Sequence, residues 1–489
     1  MEADETQRCG RFFGVAMPRL LTCLTLFAFS LCLPAIALAV GYPTVPGAEL
    51  TAYWVIPFAC MLLSIAVIPL LAPHFWERHF GKISIFWALA FIVPCAIIFG
   101  LPVAFYELLH ITLLDYIPFI ILLFTLFTVA GGVRLKGSLT GTPLVNTSLL
   151  AVGTVLASWM GTTGATMLLI RPLLRANAHR RYKVHSVVFF IFLVANIGGS
   201  LTPLGDPPLF LGFLKGINFF WVTTNLFYKT LLASVVLLLI YLLLDSVLFA
   251  REGKPVLLPE DKKGFEKFGL DGKINLLFLL GVVLVVLASG LSPMGVLVEI
   301  YGVPVEGQNL LRDILLLCIA GLSWRYTDHN CRKLNDFSWD PIKEVAKLFL
   351  GIFISMIPAI AILRAGADGA LSGLIQLVST DGQPNNAMYF WLTGLLSSFL
   401  DNAPTYVVFF STAGGDPAHL MYDTPATLAA ISAGAVFMGA NTYVGNAPNF
   451  MVRAIAENQD VRMPSFFGYM AWSIGILIPL FLLLTWIFF

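Results

Sequence analysis

The chain has 489 residues, of which 58% are hydrophobic and only 12% are charged, and its formal net charge is +1. This composition lies outside the range of soluble globular domains. A bilayer core needs roughly 20 consecutive apolar residues per helix, and about eleven such stretches are present. The sequence therefore excludes a soluble enzyme, a nucleic-acid-binding protein and a β-barrel of alternating residues. It predicts an all-α polytopic protein whose partner is the lipid bilayer.

The first 40 residues are a signal peptide or a first transmembrane helix. Three arginines precede a long apolar run that ends in Ala37-Leu38-Ala39, a small-residue pattern that signal peptidase could cleave. Both alternatives place residue 41 outside the membrane.

Apolar stretches predict ten further spans and two interrupted segments. The spans are 53–72, 83–101, 112–132, 184–212, 226–249, 274–291, 310–324, 345–364, 425–452 and 465–488. The segments 144–175 and 389–411 are broken by Gly, Pro and polar residues, and we expect them to be re-entrant hairpins.

The Lys/Arg distribution predicts the orientation. About 19 basic residues fall in six loops and about one falls in the intervening loops, provided that both hairpins enter and leave on the same side. The richly basic loops are predicted to be cytoplasmic, with the start of the mature chain and the C-terminus outside. The expected location is the cell inner membrane.

An internal repeat with an offset of about 240 residues divides the chain into 41–250 and 274–489, joined by a cytoplasmic linker at 251–273. Ile117-Pro118 matches Ile357-Pro358, and 199–210 matches 439–450 with Gly, Thr, Gly, Pro and Phe in register. In the hairpins we align 158–166 with 397–405, which sets Thr162 against Asp401. Because the hairpins open to opposite sides, the repeats are predicted to be inverted, as in many secondary transporters.

Both 184–212 and 425–452 are predicted to be broken helices. Gly199, Pro203, Gly205 and Pro207 cannot all lie in one continuous helix, so the backbone must unwind there. Unwound carbonyl groups at membrane depth can coordinate a cation.

Two carboxylates coincide with these interruptions, Asp206 at the first broken helix and Asp401 at the second hairpin tip. An ionisable side chain inside a membrane is a functional candidate by default. Surrounded by Thr, Asn and backbone oxygens, each is a candidate ligand for transported Na⁺, for which protons could compete. The alternative is that each caps the N-terminus of a half-helix.

Three other polar residues are weaker candidates. We interpret Arg171 as a side chain that snorkels to the cytoplasmic surface and Asp245 as a residue at a span end. His185 lies at the mouth of a broken helix, where a proton relay is the less favoured alternative.

The run Ala195–Phe210, with Ser398–Thr405 and Gly439–Thr442, resembles the ion-transporter superfamily. It is closest to the D-type sodium/proton antiporters and the CitMHS-like citrate transporters. The resemblance implies a homodimer with a scaffold and a mobile transport domain, working by an elevator-like motion. It also implies two groups of binding residues: Thr162, Thr163, Asn196, Thr202 and Asp206 in one, and Asp401, Asn402, Thr405, Asn441, Thr442 and Asn446 in the other.

One departure from that family pattern affects the expected substrate. The D-type antiporters carry Asp-Asn in both hairpins, whereas the first hairpin here has Thr162-Thr163. We therefore expect a sodium(lithium)/proton antiporter, with a sodium- or proton-coupled carrier of citrate or other di/tricarboxylates as the alternative. No catalytic activity and no cofactor other than transported Na⁺ and H⁺ is expected. A channel and an intramembrane aspartyl protease are the remaining alternatives.

Overall fold

The computed structural model describes residues 44–137, 139–253, 269–380 and 383–489. The predicted signal peptide or first span, residues 1–40, lies outside these ranges, as does most of the 251–273 linker. Within the described ranges, nine helices are long and apolar enough to cross a membrane. The protein is therefore an all-α polytopic membrane protein, as the composition predicts.

The first half begins with a short 3₁₀ turn at Ala52–Val55. Its helices and strand are α1 (Ile56–Leu71), α2 (Pro73–Ile98), α3 (Leu101–His110), α4 (Ile117–Ala130), β1 (Arg134–Lys136), α5 (Pro143–Met160), α6 (Thr162–Ala176), α7 (Val184–Leu193), α8 (Pro207–Leu214) and α9 (Trp221–Arg251). One π-helical turn, Ile111–Tyr116, joins α3 to α4 without a break.

The second half begins beyond the linker. Its elements are β2 (Gly269–Asp271), α10 (Ile274–Leu291), β3 (Val296–Ile300), β4 (Val303–Glu306), α11 (Gly307–Tyr326), α12 (His329–Leu334), α13 (Asp340–Arg364), α14 (Ser372–Leu377), β5 (Ser379–Thr380), β6 (Gln383–Pro384), α15 (Asn386–Phe399), α16 (Asn402–Thr412), α17 (Pro417–Tyr422), α18 (Pro425–Met438), α19 (Ala447–Glu457) and α20 (Phe466–Phe488). The strands form three two-stranded antiparallel ribbons, β1 with β2, β3 with β4 and β5 with β6.

The two interrupted segments are helical hairpins. α5 and α6 pack against each other, and so do α15 and α16. The amide of Gly141 donates to the carbonyl of Ala176 at 2.8 Å, so the first hairpin begins and ends at the same face of the protein. In the second, Thr427 Oγ1 at the start of α18 donates to Asn386 Oδ1 at 2.8 Å.

Helix α9 shows that the hairpins enter from opposite ends. It has 31 residues and is therefore about 46 Å long. Its first residue, Trp221, donates to the carbonyl of Met421 just beyond the second hairpin. Near its other end, Asp245 is bonded by Arg180, just beyond the first hairpin.

Burial separates a lipid-facing shell from a core. In α7 and the turn after it 89% of the residues are buried, whereas in α2 and α10 only 22% are. Exposed apolar side chains such as Leu243 and Leu277 lie on the outer helices. Because apolar side chains need no protein partner in lipid, we assign the poorly buried helices to the lipid boundary and α7 to the interior.

Two predicted boundaries were wrong. Residues 73–82, between the first two predicted spans, were predicted to be a loop, but they are helical because α2 begins at Pro73, and proline is well suited to the first turn of a helix. The third predicted span, 112–132, is the second part of one helical rod that runs from Leu101 to Ala130. The π turn keeps this rod continuous through Asp115.

Candidate functional site

Asp206 is buried between the two hairpin tips and accepts hydrogen bonds from three side chains. Thr162 Oγ1 donates to its Oδ1 at 3.2 Å, and Asn446 Nδ2 donates to the same oxygen at 3.1 Å. Asn402 Nδ2 donates to Oδ2 at 2.5 Å. The first tip, the second tip and the second broken helix thus meet on one carboxylate of the first broken helix.

A close crossing of the backbone positions Asp206. α7 ends at Leu193, a 3₁₀ turn follows at Ile197–Leu201, and a short non-helical segment leads to α8, which begins at Pro207. The backbone at Gly205 crosses close to the backbone at Gly199. A Cβ atom on Gly205 would lie 2.1 Å from the carbonyl oxygen of Gly199, so this crossing requires glycine at position 205. The carbonyl of Gly205 accepts from the amide of Thr162 at 2.8 Å, which holds the first tip against the break.

The second half contains the same crossing 240 residues further along the chain. A Cβ on Gly445 would lie 2.6 Å from the carbonyl oxygen of Gly439. In each half a threonine after the 3₁₀ turn donates to the carbonyl of a serine in the hairpin, Thr202 to Ser158 and Thr442 to Ser398.

These paired contacts correct the hairpin alignment by one residue. Ser158 corresponds to Ser398, so Thr162 corresponds to Asn402 and not to Asp401, which instead corresponds to Gly161. Both α6 and α16 begin at the residue that bonds Asp206. The sequence alignment missed this because it kept Ser and Thr identities at the ends of the segment.

The two carboxylates have different local roles. Asp401 caps α16, because its Oδ1 accepts from the amide of Ala403 at 3.0 Å. Asp206 occupies the position before α8 but its side chain makes no capping bond. The capping alternative therefore describes Asp401, while the carboxylate of Asp206 is bonded by side chains from other elements.

A second layer of amides supports the Asp206 shell. Asn446 also contacts Asn196 Oδ1 at 3.2 Å, and Asn196 Nδ2 donates to Asn449 Oδ1 at 2.7 Å. Asn449 in turn donates to the carbonyls of Gly439 and Thr442. Members of both predicted groups are thus joined in one hydrogen-bonded network that spans both halves, with Asn196 and Asp206 from the first group and Asn402 and Asn446 from the second.

A cavity of about 90 Å³ borders this network. Its polar wall is formed by the first tip, Gly161–Gly164, and by Asp206, and its other walls include Pro207, Ala447 and Pro448. Thr163 contributes to this wall and is half-buried. Because α6, α8 and α19 begin at this cavity, the positive ends of three helix dipoles converge on it.

The remaining predicted residues bond other groups of the second half, and one of them, like Asn402, has a side-chain oxygen without a hydrogen-bond partner in the described part of the chain. Thr405 donates to the carbonyl of Asp401, and Asn441 Nδ2 donates to Ser398 Oγ. Within the described ranges, the buried side-chain oxygens of Asn402 and Asn441 have no hydrogen-bond partner. Carbonyl oxygens of this kind are suitable ligands for a hard cation.

The sequence analysis missed Asn449, although a signal was present. It corresponds to Leu209 in the first half, so a fully buried polar residue occurs where its counterpart is apolar. A buried amide must be hydrogen-bonded, which indicates a packing or binding role.

The weaker candidates have partners that the sequence did not indicate. Arg171 does not extend to the surface alone but pairs with Asp336 at 3.3 Å. Asp245 is fully buried and accepts from Arg180 at 2.7 Å and from His185 at 2.9 Å. This cluster fixes the base of the first hairpin to α7 and α9. Asp206 contacts the opposite end of that hairpin, at its tip.

Comparison with known families assigns the chain. Residues 47–489 match the family described as "Putative citrate transport", and the chain belongs to this family. The match includes every residue of the Asp206 network and agrees with the CitMHS-like resemblance. No curated protein matches the chain significantly. The fold and family therefore define a multi-pass membrane protein of a transporter family.

Proposed function

We propose that this protein is a sodium-coupled secondary carrier of citrate or another di- or tricarboxylate. The observation that carries the proposal is the convergence of three helix N-termini on the cavity beside Asp206. Helix N-termini attract carboxylate groups, and the hydroxyls of Thr162 and Thr163 can donate to them. The family description supports the same substrate class.

Coupling follows from the charge of Asp206. A substrate carboxylate would be repelled by this buried anion unless a cation first neutralised it. Within the described ranges, Asn402 donates its amide to Asp206 and keeps a free carbonyl oxygen, so this oxygen and the carboxylates of Asp206 and Asp401 are suitable Na⁺ ligands, and Asn441 has a second free oxygen. Sodium binding is thereby a condition for carboxylate binding, and the sodium gradient can drive uptake.

We infer that both ligands move together across the membrane by alternating access. By the resemblance stated above, the hairpins and broken helices form the mobile domain of each protomer in a homodimer of the inner membrane. From the positive-charge bias we infer that the first hairpin opens to the cytoplasm and that the C-terminus lies outside.

Sodium/proton antiport is the second candidate function. It is favoured by a specific feature, namely that no basic side chain lines the described wall of the Asp206 cavity. A carboxylate without a basic partner can bind Na⁺ and a proton alternately, which is sufficient for exchange.

Proteoliposomes distinguish the two functions. We expect labelled citrate or succinate to accumulate when an inward Na⁺ gradient is imposed, and an imposed pH gradient to persist when Na⁺ or Li⁺ is added alone. Collapse of the pH gradient by Na⁺ or Li⁺, with no carboxylate uptake, would establish antiport instead. Carboxylate uptake driven by a pH gradient without Na⁺ would replace sodium by protons as the coupling ion.

A further inference from the structure

A second and larger cavity lies at the opposite end of α8 from the hairpin tips. Its volume is about 350 Å³, and its lining includes six ionisable side chains. These residues are Tyr106, Glu107, His110, Asp115, Lys215 and Arg364. Lys215 follows the end of α8, whereas Asp206 precedes its start, so the helix separates this outer cavity from the Asp206 site by about 12 Å.

The acidic groups of the outer cavity already have partners. Asp115, in the π turn, accepts from Lys215 Nζ at 3.2 and 3.4 Å. Glu107 Oε1 accepts from the amide of Val45 at 3.0 Å. A cation entering the cavity would have to displace these donors.

One basic side chain of the cavity has no protein partner among the described residues. Lys215 is paired with Asp115, whereas Arg364 lines the cavity from the last turn of α13, is exposed, and within the described ranges has neither an ion pair nor a hydrogen bond. Its planar fork of donors matches a carboxylate with two parallel hydrogen bonds. Lys215 adds positive charge from another wall, and His110 is a further potential donor.

We propose that the outer cavity is a second binding site for a small carboxylate, held principally by Arg364. This inference rests on the proposed function, because it takes the transported carboxylate class as the ligand. By the predicted orientation the cavity faces outside, since Lys215 is the basic residue of the outer loops. The site captures the anion before it reaches the hairpin tips.

The same ion pair gives this site a structural link to the transport path. Lys215 belongs to the broken helix that carries Asp206, and Asp115 belongs to the continuous rod of α3 and α4. An anion on Arg364 lies in the same cavity as this bridge. Occupancy of the cavity and the position of α8 are therefore able to influence each other.

Equilibrium binding of labelled citrate to purified full-length protein tests the site. The background is Thr162→Val with Thr163→Val, which removes the two hydroxyls proposed to hold citrate at the tip site and leaves the outer cavity unchanged. We expect citrate to bind this background, and Arg364→Gln in the same background to lower its affinity at least about tenfold, as loss of a charged hydrogen-bond donor implies. Arg364→Lys should restore part of the affinity.

The matched control is Arg325→Gln, which removes an exposed arginine from the last turn of α11. It should leave citrate affinity unchanged. Equal affinity in the Arg364→Gln and control proteins would overturn the proposal, as would equally strong competition by sulfate, which would indicate a general anion site. Failure of citrate uptake in wild-type vesicles, with Arg364-dependent binding retained, would overturn the transport function but not this site.

Discussion

The crossing at Gly199 and Gly205 uses the same backbone contacts as the crossing at Gly439 and Gly445, but only the first presents a carboxylate. Where the first half has Asp206, the second has Asn446, which donates to it. Where the second hairpin has the capping Asp401, the first has Gly161. The two halves therefore share one backbone arrangement. Their different side chains create one asymmetric site in which both halves share a single anion, Asp206.

The asymmetry would be destroyed most completely by Asp206→Asn. Three donors would then face an amide, and the charge that attracts Na⁺ would be lost. We expect sodium-driven uptake to fall at least about 100-fold, which corresponds to about 3 kcal/mol. Initial rates in proteoliposomes give this value.

The exposed Asp368→Asn is the matched control for this loss of one carboxylate. It should retain wild-type uptake. Uptake by Asp206→Asn within about twofold of this control would remove Asp206 from the mechanism.

Alanine substitutions at Gly205 and Gly445 compare how much each backbone crossing contributes to stability. Gly205→Ala should destabilise by about 2–3 kcal/mol, and Gly445→Ala by less, because its new Cβ would clash less severely. Thermal unfolding in detergent measures both. Gly475→Ala, in a helix with open space around it, should be neutral or slightly stabilising. An unfolding temperature for Gly205→Ala equal to that of Gly475→Ala would show that the crossing tolerates a side chain.

Asp401→Asn separates a cap from a cation ligand. Asparagine caps helices as well as aspartate, so the fold of the second tip should be unchanged. Loss of the charge should weaken Na⁺ activation of uptake by about tenfold, less than loss of Asp206, since one oxygen of Asp401 is already used by Ala403. Unchanged Na⁺ dependence would leave Asp401 with the capping role alone.

Substitution of Asp271 should have the smallest effect on stability. This residue lies in β2, which pairs with β1 and so joins the two halves. Its hydrogen bond from Lys136, with the nearby charge of Arg134, holds the pKa of this carboxyl below its ordinary value. A lowered pKa in the folded state stabilises the protein fully above the ordinary pKa, and this stabilisation is lost as the pH falls through the lowered value.

Asp271→Asn should therefore cost less than about 1 kcal/mol at pH 7, and the difference from wild type should shrink as the pH falls below the ordinary pKa of an aspartate. Unfolding temperatures of the two proteins measured across this range provide the comparison. A difference that grows as the pH falls would contradict the sign.

The sequence predicted the parts of this architecture that depend on local chemistry. Apolar length gave the spans, and Pro and Gly gave the breaks at 199–207. Asp206 was identified because a carboxylate at membrane depth is costly. The pairing of side chains across the halves was beyond reach, since it depends on tertiary contacts between residues some 200 positions apart, such as Asn402 and Asp206.

The sequence alignment of the two hairpins was wrong by one residue because similar residues are adjacent there. Ser397 and Ser398 are adjacent, and tertiary contacts such as the bond from Thr442 show which one corresponds to Ser158. The partners of Asp245 were missed because Arg180 lies in a basic loop, where a solvated side chain was the natural expectation.

The proposed mechanism depends on one shared carboxylate, Asp206, which binds the coupling ion. Radiolabelled Na⁺ binding to purified wild-type, Asp206→Asn and Asp368→Asn proteins, with and without citrate, measures this role. We expect saturable Na⁺ binding that citrate strengthens in wild type and in Asp368→Asn, and no such binding in Asp206→Asn. Equal Na⁺ binding by all three proteins would contradict it.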